Sequence, residues 1–518
     1  VTDIDVIIVG AGPSGLMLAG ELRLAGVRSL VLERQPQPRD IPKASGLGGR
    51  ILDLLRYRGL LDRFEAVSSD PHLAPRFPFG NMYLDFTHLA DPPMRALPIP
   101  QREIERLLDE RARELGAEIR RGHEVVGVNQ DETTVTADVR GPDGPYRVSA
   151  RYLVGCDGGR SRVRAMAGIS FPGTTYPEVN RLAQVAVHDS VTVLDNGDID
   201  VPGLGRIQAG FTRTDRGVFA FAVDSGVMFL QTTEDEPNEY DDDEPLTSAE
   251  LADSARRVLG AELPLGEPTR LTRYTFKDRQ AERYRAGRIL LAGDAAHLFP
   301  ATGTALNVGM LDTVNLAWKL GADIHGWAPN GLLDTYHDER HFAGARARLQ
   351  TRAQVALRRG HDPAAEALRQ VFQELLVDEP ALRRMGALVG HTDIRYPMPG
   401  CDHTLAGTFA PDLTLHTDQG VTSVGELMRT ARPVLLDLAD RADLREVARD
   451  WQHRIDIRTA EIDNRPADAL LIRPDAHIAW AATLDAPADT AALALRDSLS
   501  CWFGAPLETT ASISDRTL

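Results

Sequence analysis

The chain is poor in cysteine. Three cysteines, Cys156, Cys401 and Cys501, lie far apart in 518 residues with no CxxC pair. That argues against a disulfide framework and against a cysteine zinc site, and makes a reducing cytoplasm the expected setting. A run of about 18 apolar residues is also missing, so no membrane-spanning helix is expected. The opening VTDIDVIIVG has no basic region followed by a cleavage site and reads as a buried strand, not a signal peptide. Positive charge is in deficit. A formal net charge of −17 disfavours nucleic acid and anionic membrane as partners and favours solubility. No GxSxG occurs, so nothing points to a serine hydrolase. What remains is a mixed composition, 43% hydrophobic, in a chain long enough for two or three domains.

Residues 4–9, IDVIIV, form a continuous apolar run that suits a strand buried on both faces. A glycine turn, a helix (PSGLMLAGELRLAG) and a second strand (SLVLE, ending at Glu33) complete a βαβ unit. RYLVGCDG at 151–158 reads as another buried strand. From about 175 to 280 the pattern changes to alternation, as in RLAQVAVH and GVFAFAV, which predicts an antiparallel sheet. The acidic run EDEPNEYDDDEP reads as a solvated loop, and Thr247 with Glu250 forms a capping box for the helix after it. GRILLAG at 287–293 restores the buried-strand signature. The expected architecture is therefore α/β, with one discontinuous domain (1–174 and 281–395) bearing long helices, an inserted antiparallel-sheet domain (175–280) and a smaller α/β unit (401–518) beyond the linker YPMPGCDH.

Gly10-Ala11-Gly12-Pro13-Ser14-Gly15 is a GxGxxG turn between strand and helix. Gly10 permits the tight turn, Gly12 lets the backbone approach a pyrophosphate, and Gly15 permits close helix–strand packing. The helix start offers free N–H groups to phosphate. Glu33 stands where an acid accepts hydrogen bonds from the adenosine ribose. The motif points to a dinucleotide without separating NAD from FAD. Asp157 and Asp294 each follow a buried strand, where an unpaired carboxylate is costly, so ligand or backbone hydrogen bonds must satisfy them. His337 and His341 share one helix face, but the HDERH order is not that of a metalloprotease and no third ligand is evident, so no metal is assigned.

Two later segments add specificity: Asp157-Gly158-Gly159-Arg160-Ser161-Arg162, and Arg288 to His297 with Gly293-Asp294 at a strand end. With the glycine turn they resemble the three fingerprints of single-component FAD monooxygenases of the para-hydroxybenzoate hydroxylase type, in the aromatic polyketide hydroxylase and rifampicin monooxygenase branch. The resemblance covers nearly the whole chain. It implies a Rossmann-like FAD-binding domain, a substrate-binding insertion and a C-terminal thioredoxin-like domain, here without CxxC and so without a redox role. It implies that Gly10, Gly12, Pro13, Ser14 and Gly15 hold the ADP part of FAD, and that Glu33 and Arg34 meet its ribose and adenine. Val125 offers a backbone group to the adenine, Gln101 contacts the ribityl region and Asp294 binds the ribityl chain. Asp157 and Gly158 support FAD and the nicotinamide coenzyme. Lys43 replaces the family's usual arginine, keeping charge near the pyrophosphate but losing the bidentate fork. Pro300, Gly303, Leu306 and Asn307 form the turn beside the flavin.

The resemblance further implies NAD(P)H as cosubstrate and transfer of one oxygen atom from O2, through a flavin C4a-hydroperoxide, to a polycyclic aromatic polyketide, in antibiotic biosynthesis. Baeyer–Villiger insertion, oxidative ring opening or rearrangement, antibiotic inactivation and a non-catalytic relative stay open as alternatives, as does monomer or homodimer. No side-chain acid or base is assigned. In GDAAHLFPATGTALNVGMLD, Thr304-Ala305 stands where the family has a longer, glycine-rich turn. Thr and Ala poorly replace glycine at positive φ, so a shifted flavin ring or a wider space beside it is expected.

Overall fold

A computed structural model gives the structure of residues 4–38, 44–72, 76–80, 82–224, 226–236, 240, 245–300, 303–359 and 363–507. The expected α/β class is observed. Its centre is a six-stranded sheet in the order Arg285–Ala286, Ile289–Leu291, Tyr152–Gly155, Val6–Val9, Ser29–Glu33, Glu118–Arg121. All pairs are parallel except the first, and the register sets Val6 opposite both Ser29 and Tyr152. Val6, Ile7 and Ile8 are fully buried, because the Pro13–Leu24 helix and strands of a separate antiparallel meander both pack on this sheet and leave no polar side. Gln101, the Pro13–Leu24 helix and the Ala305–Ile324 helix are placed around it, and Gly309 of the last packs directly on Ser14 of the second.

The insertion forms a second sheet, ordered Gly210–Thr214, Gly217–Asp224, Val227–Asp235, Gly173–Ala186, Pro268–Gln280, His297–Leu298. Its last strand comes from beyond the insertion. The chain thus leaves the parallel sheet at Leu291, turns through Gly293–Ala295 and joins the second sheet at His297. The Gly293 turn is the hinge point of the two layers. One face of this sheet buries Ala183, Val185, Phe219, Met228 and Leu230 against Leu251 and Val258 of the Ser248–Leu259 helix. That helix starts as its sequence requires: the Thr247 hydroxyl accepts the Glu250 N–H at 3.1 Å, and Gly260 ends it at φ +80°. On the other face the register aligns Asn180, Thr233 and Tyr274, and next to them Leu182, Gln231 and Thr272. Arg348 and Arg358 of the Thr335–Arg359 helix reach this strand set, pairing with Asp278 at 2.6 Å and lying over the Phe276 ring.

A three-stranded meander, Glu124–Gln130, Val135–Gly141 and Gly144–Ala150, was not read from the sequence; it buries Val125, Val135, Ala137, Val139 and Ala150 in the main core. The C-terminal unit has a four-stranded sheet, Asp456–Thr459, Val434–Asp437, Ala469–Ile472, Ile478–Ala482, flanked by the helices Ala442–Ala448 and Ala488–Phe503, in the thioredoxin-like arrangement. Among the described residues no helix is long and apolar enough to cross a membrane.

Candidate active site

The nucleotide turn rests on three glycines with different tasks. Gly10 has φ +108°, a conformation that side chains rarely adopt. A Cβ there would stand 2.4 Å from the Cys156 carbonyl oxygen, and one on Gly15 would stand 2.0 Å from the Gly10 carbonyl oxygen. Gly12 is the opposite case, with nothing among the described residues within 4 Å of where its Cβ would be. It also begins the Pro13 helix without any side-chain cap, which leaves first-turn N–H groups and the positive end of the helix dipole to open space. Gly10 and Gly15 serve packing; Gly12 leaves a cradle that fits a pyrophosphate.

Glu33 fixes this turn from the next strand. Its carboxylate accepts the Ala11 N–H and the Gln35 N–H, each at 2.8 Å, which keeps it at the strand end with lone pairs to spare for a ribose hydroxyl. Arg34 is exposed beside it. Val125 is buried at a β-bulge that shifts the register between Val125 and Gly127. Lys43 lies outside the described residues. Gln101, first residue of its helix, clamps Ala44 twice: its N–H donates to the Ala44 carbonyl at 3.1 Å and its Oε1 accepts the Ala44 N–H at 3.0 Å.

The two aspartates behave differently from each other. Asp157 is a cap: it accepts the Ser161 hydroxyl and the N–H groups of Arg162 at 2.7 Å and Val163 at 3.1 Å. Gly158 follows at φ +86° with open space around it. Asp294 corrects an expectation. The strand before it is buried, but Asp294 itself is exposed, because the Gly293–Ala295 turn swings it off the sheet end. No full desolvation cost needs to be met there.

The turn before the Ala305 helix also differs from expectation. Gly303 takes the positive φ, +81°, with nothing among the described residues within 4 Å of where its Cβ would be. Thr304 sits at φ −93°, where threonine is unstrained, and its buried hydroxyl accepts the Gln350 amide at 3.0 Å. The replacement of glycine is thus accommodated by a helical position and a hydrogen bond. Pro300 is buried and Leu306 half-buried. Asn307 ties the helix start down: its Oδ1 accepts the Gly48 N–H at 3.3 Å and its Nδ2 donates to the Gly303 carbonyl at 3.1 Å.

Close packing brings these pieces together. A Cβ on Gly293 would meet Ser14 Oγ at 2.5 Å, and one on Gly309 would meet the same oxygen at 2.7 Å and the Gly293 Cα at 2.9 Å. The glycine turn, the Gly293–Asp294 turn and the Ala305 helix therefore share one corner. Residues 3–351 match the FAD binding domain family, and residues 403–506 match the C-terminal domain of aromatic-ring hydroxylases. The chain belongs to the FAD-binding aromatic-ring hydroxylases, and it is a monooxygenase. This hydroxylase is 42% identical to the 12-dehydrotetracycline 5-monooxygenase/anhydrotetracycline 6-monooxygenase of Streptomyces rimosus, over 97% of its own length and 99% of the relative's. It is 37% identical to the rifampicin monooxygenase of Streptomyces venezuelae, with 97% and 99% covered. Its fold matches the OxyS anhydrotetracycline hydroxylase of Streptomyces rimosus with a TM-score of 0.85 at 41% identity, covering 97% and 99% of the two chains.

Asp312 and Arg340, important to this hydroxylase's geometry, escaped sequence reasoning, and Arg164 reads from the sequence only as a surface charge or a guide for phosphate or coenzyme. Arg164 donates to the carbonyls of Ala295 at 2.8 Å and Gly159 at 2.9 Å and lies 3.7 Å over the Phe171 ring, binding the Asp-Gly segment to the Gly293 turn. Only its place in an arginine-rich run marked it. Asp312 accepts the Gly293 N–H at 3.1 Å, His297 Nε2 at 2.7 Å and Arg340 Nε at 2.7 Å. Burial pushes the Asp312 carboxyl up, but His297 and Arg340 outweigh it and hold the group below its ordinary value. Arg340 also donates to the Val308 carbonyl at 3.1 Å and to the Tyr396 hydroxyl at 2.7 Å. His337 meets the Tyr284 ring edge-on and His341 meets it tilted, and the Tyr284 backbone N–H donates to His337 Nδ1 at 3.3 Å.

Proposed function

We propose that this hydroxylase inserts one oxygen atom from O2 into a polycyclic aromatic polyketide-type substrate, at the expense of NAD(P)H, in the making of an antibiotic. The supporting observation is the shared corner: a glycine cradle, an exposed Asp294 and an Asn307-anchored helix start. Gly10 to Gly15 and Glu33 would hold the ADP part of FAD, with Arg34, Lys43 and the backbone at Val125 at its rim. Gln101, Asp157, Gly158 and Asp294 would hold its middle, and Pro300, Gly303, Leu306 and Asn307 its ring. When bound, FAD supplies the oxygen chemistry. The chain's own residues position, exclude water and stabilise charge: the N–H groups at the start of the Ala305 helix place positive potential beside the ring.

Substrate would lie between that ring and the inserted sheet. Asn180 there receives two hydrogen bonds on its Oδ1, from Gln231 and Thr233, each at 2.9 Å, while its buried Nδ2 has no hydrogen-bond partner among the described residues. A carbonyl or hydroxyl oxygen of the substrate would satisfy it. Burial raises the nearby Tyr274 phenol above its ordinary value, so it stays neutral and serves as a hydrogen-bond donor, not a base. Exposed Phe211 and Phe229 on the same face suit the flat edge of an aromatic ring system.

The test is direct. Purified protein loaded with FAD is given NADPH, isotopically labelled O2 and a panel of linear and angular tetracyclic polyketides including anhydrotetracycline. We expect a product that has gained one labelled oxygen atom, with NADPH consumed in step. NADPH oxidation that never oxygenates any member of the panel would overturn the reading.

A further inference from the structure

Six charged side chains are buried between the Ala305 helix, the Thr335 helix and the C-terminal unit: Asp312, Lys319, Glu339, Arg340, Arg473 and Asp475, none more than 4% exposed. They balance, three of each sign, and they are joined. Arg473 donates to both Glu339 oxygens at 2.6 and 2.8 Å and also binds Asp475. Asn315 donates to Glu339 at 2.6 Å and to Asp475 at 2.9 Å, while Lys319 donates to Asn315 Oδ1 at 2.9 Å and to Glu339 at 2.8 Å. Burial and the nearby Arg473 draw the Lys319 ammonium down to about 8, against the pull of Glu339 and Asp475. One residue along the Thr335 helix, Arg340 holds Asp312 and the Tyr396 hydroxyl, and the Tyr396 ring lies 4.5 Å from that of His477. Asp312 ends the chain of contacts on the Gly293 N–H.

Burying ions is costly, and apolar side chains of the same size often stabilise a fold as well or better. Stability alone therefore does not account for this lattice. What charged hydrogen bonds provide is a single register. Sliding the Ala305 helix by one turn, about 5.4 Å, would break the contacts of Asp312, Asn315 and Lys319 together, whereas an apolar seam would repack. A cavity of about 20 Å³ bounded by Arg50, Arg340, His391, Tyr396, Asp475 and His477 interrupts the seam beside this lattice. The same helix begins at the turn of Gly303 and Asn307 and is tied by Asp312 to the Gly293 turn.

We propose that Arg473 and Asp475 of the C-terminal unit are positioning residues for the flavin site, fixing the Ala305 helix against the Gly293 turn through Asn315, Glu339 and the Asp312–Arg340 pair. This rests on the reading that those two turns hold FAD. It gives the thioredoxin-like unit a task that needs no cysteine.

The test uses the full chain, stripped of FAD, in four variants: Asp475→Asn, Arg473→Lys, Tyr396→Phe and, as a control, Leu495→Ala, which removes a fully buried apolar side chain of the Ala488–Phe503 helix and no hydrogen bond of the lattice. Melting of the FAD-free protein, the FAD dissociation constant well below that melting point, and the reduction potential of the bound flavin are measured. Asp475→Asn is expected to weaken FAD binding about tenfold and to move the potential, and Tyr396→Phe to weaken it about threefold, within the range of coupling carried by such networks. Arg473→Lys keeps the charge and should fall between wild type and Asp475→Asn. Leu495→Ala should melt earlier with FAD affinity and potential unchanged. Folded Asp475→Asn with wild-type affinity and potential would overturn the proposal. If that variant does not fold, an unchanged Tyr396→Phe overturns it equally. Wild-type protein that takes up no FAD would instead overturn the reading beneath both.

Discussion

Two helices start at the same corner and are held there by opposite means. The Pro13 helix is held by backbone: Gly10 leaves no room for a Cβ against the Cys156 carbonyl, and Gly15 none against the Gly10 carbonyl. The Ala305 helix is held by side chains whose partners are distant in sequence: Arg340 for Asp312, Asp475 for Asn315. The first device tolerates no adjustment. The second can be adjusted one side chain at a time, and the Thr304 turn shows such an adjustment, with a hydroxyl–amide bond in place of glycine. A family that keeps one nucleotide and varies its chemistry has use for both.

The comparison can be broken most forcefully at Gly15. A Gly15→Val side chain must displace the Gly10 carbonyl, at a cost beyond about 3 kcal/mol; we expect urea unfolding at much lower denaturant and protein purified without flavin. A Gly15→Val protein with normal flavin content would show that the backbone contact is not what holds the first helix.

At the second helix, Arg340→Met leaves the fully buried Asp312 without its guanidinium. The expected loss is about 3–5 kcal/mol by chemical denaturation, partly recovered in the double variant with Asp312→Asn. A loss under about 1 kcal/mol would mean that the pair behaves as a surface ion pair and that the helix is held by packing.

A smaller effect lies in the same seam. His391 is buried at φ +57° with its Nε2 unpartnered, and burial, with Arg340 and His297 beside it, depresses it to about 3. Below its unfolded value the unfolded chain takes up a proton that the fold refuses. Stability therefore falls as pH drops from about 6.5 towards 3 and is unaffected by this group above that window. The contribution is about 2 kcal/mol between about pH 7 and about pH 5. His391→Asn, which tolerates the backbone conformation, should melt with correspondingly less acid sensitivity; identical pH profiles for the two proteins would refute this. The smallest effect belongs to Thr304→Val, which removes one buried hydrogen bond from Gln350 and should cost about 1 kcal/mol, read as a modest drop in melting temperature.

Local signals were legible in the sequence. The GxGxxG turn, the buried apolar strands, the Thr247 cap and the alternation of the insertion each depend on residues close together in the chain, and each was found in the structure where expected. The resemblance carried by the three fingerprints gave the family for the same reason. The site was legible in its residues more than in their roles. Asp157 and Asp294 read alike, yet one caps a helix and the other is exposed, because a strand end fixes where a side chain begins and the following turn decides where it points.

By itself, then, the sequence determined the nucleotide turn, the α/β class and the monooxygenase family, since these follow from periodicity and short motifs. Only the tertiary structure decided that Thr304 needs no glycine geometry, that Arg164 locks two loops together, and that Arg473 and Asp475 reach the Ala305 helix. Those contacts join groups up to 160 residues apart. A charge on one element says nothing of its partner until burial removes the water that would otherwise serve.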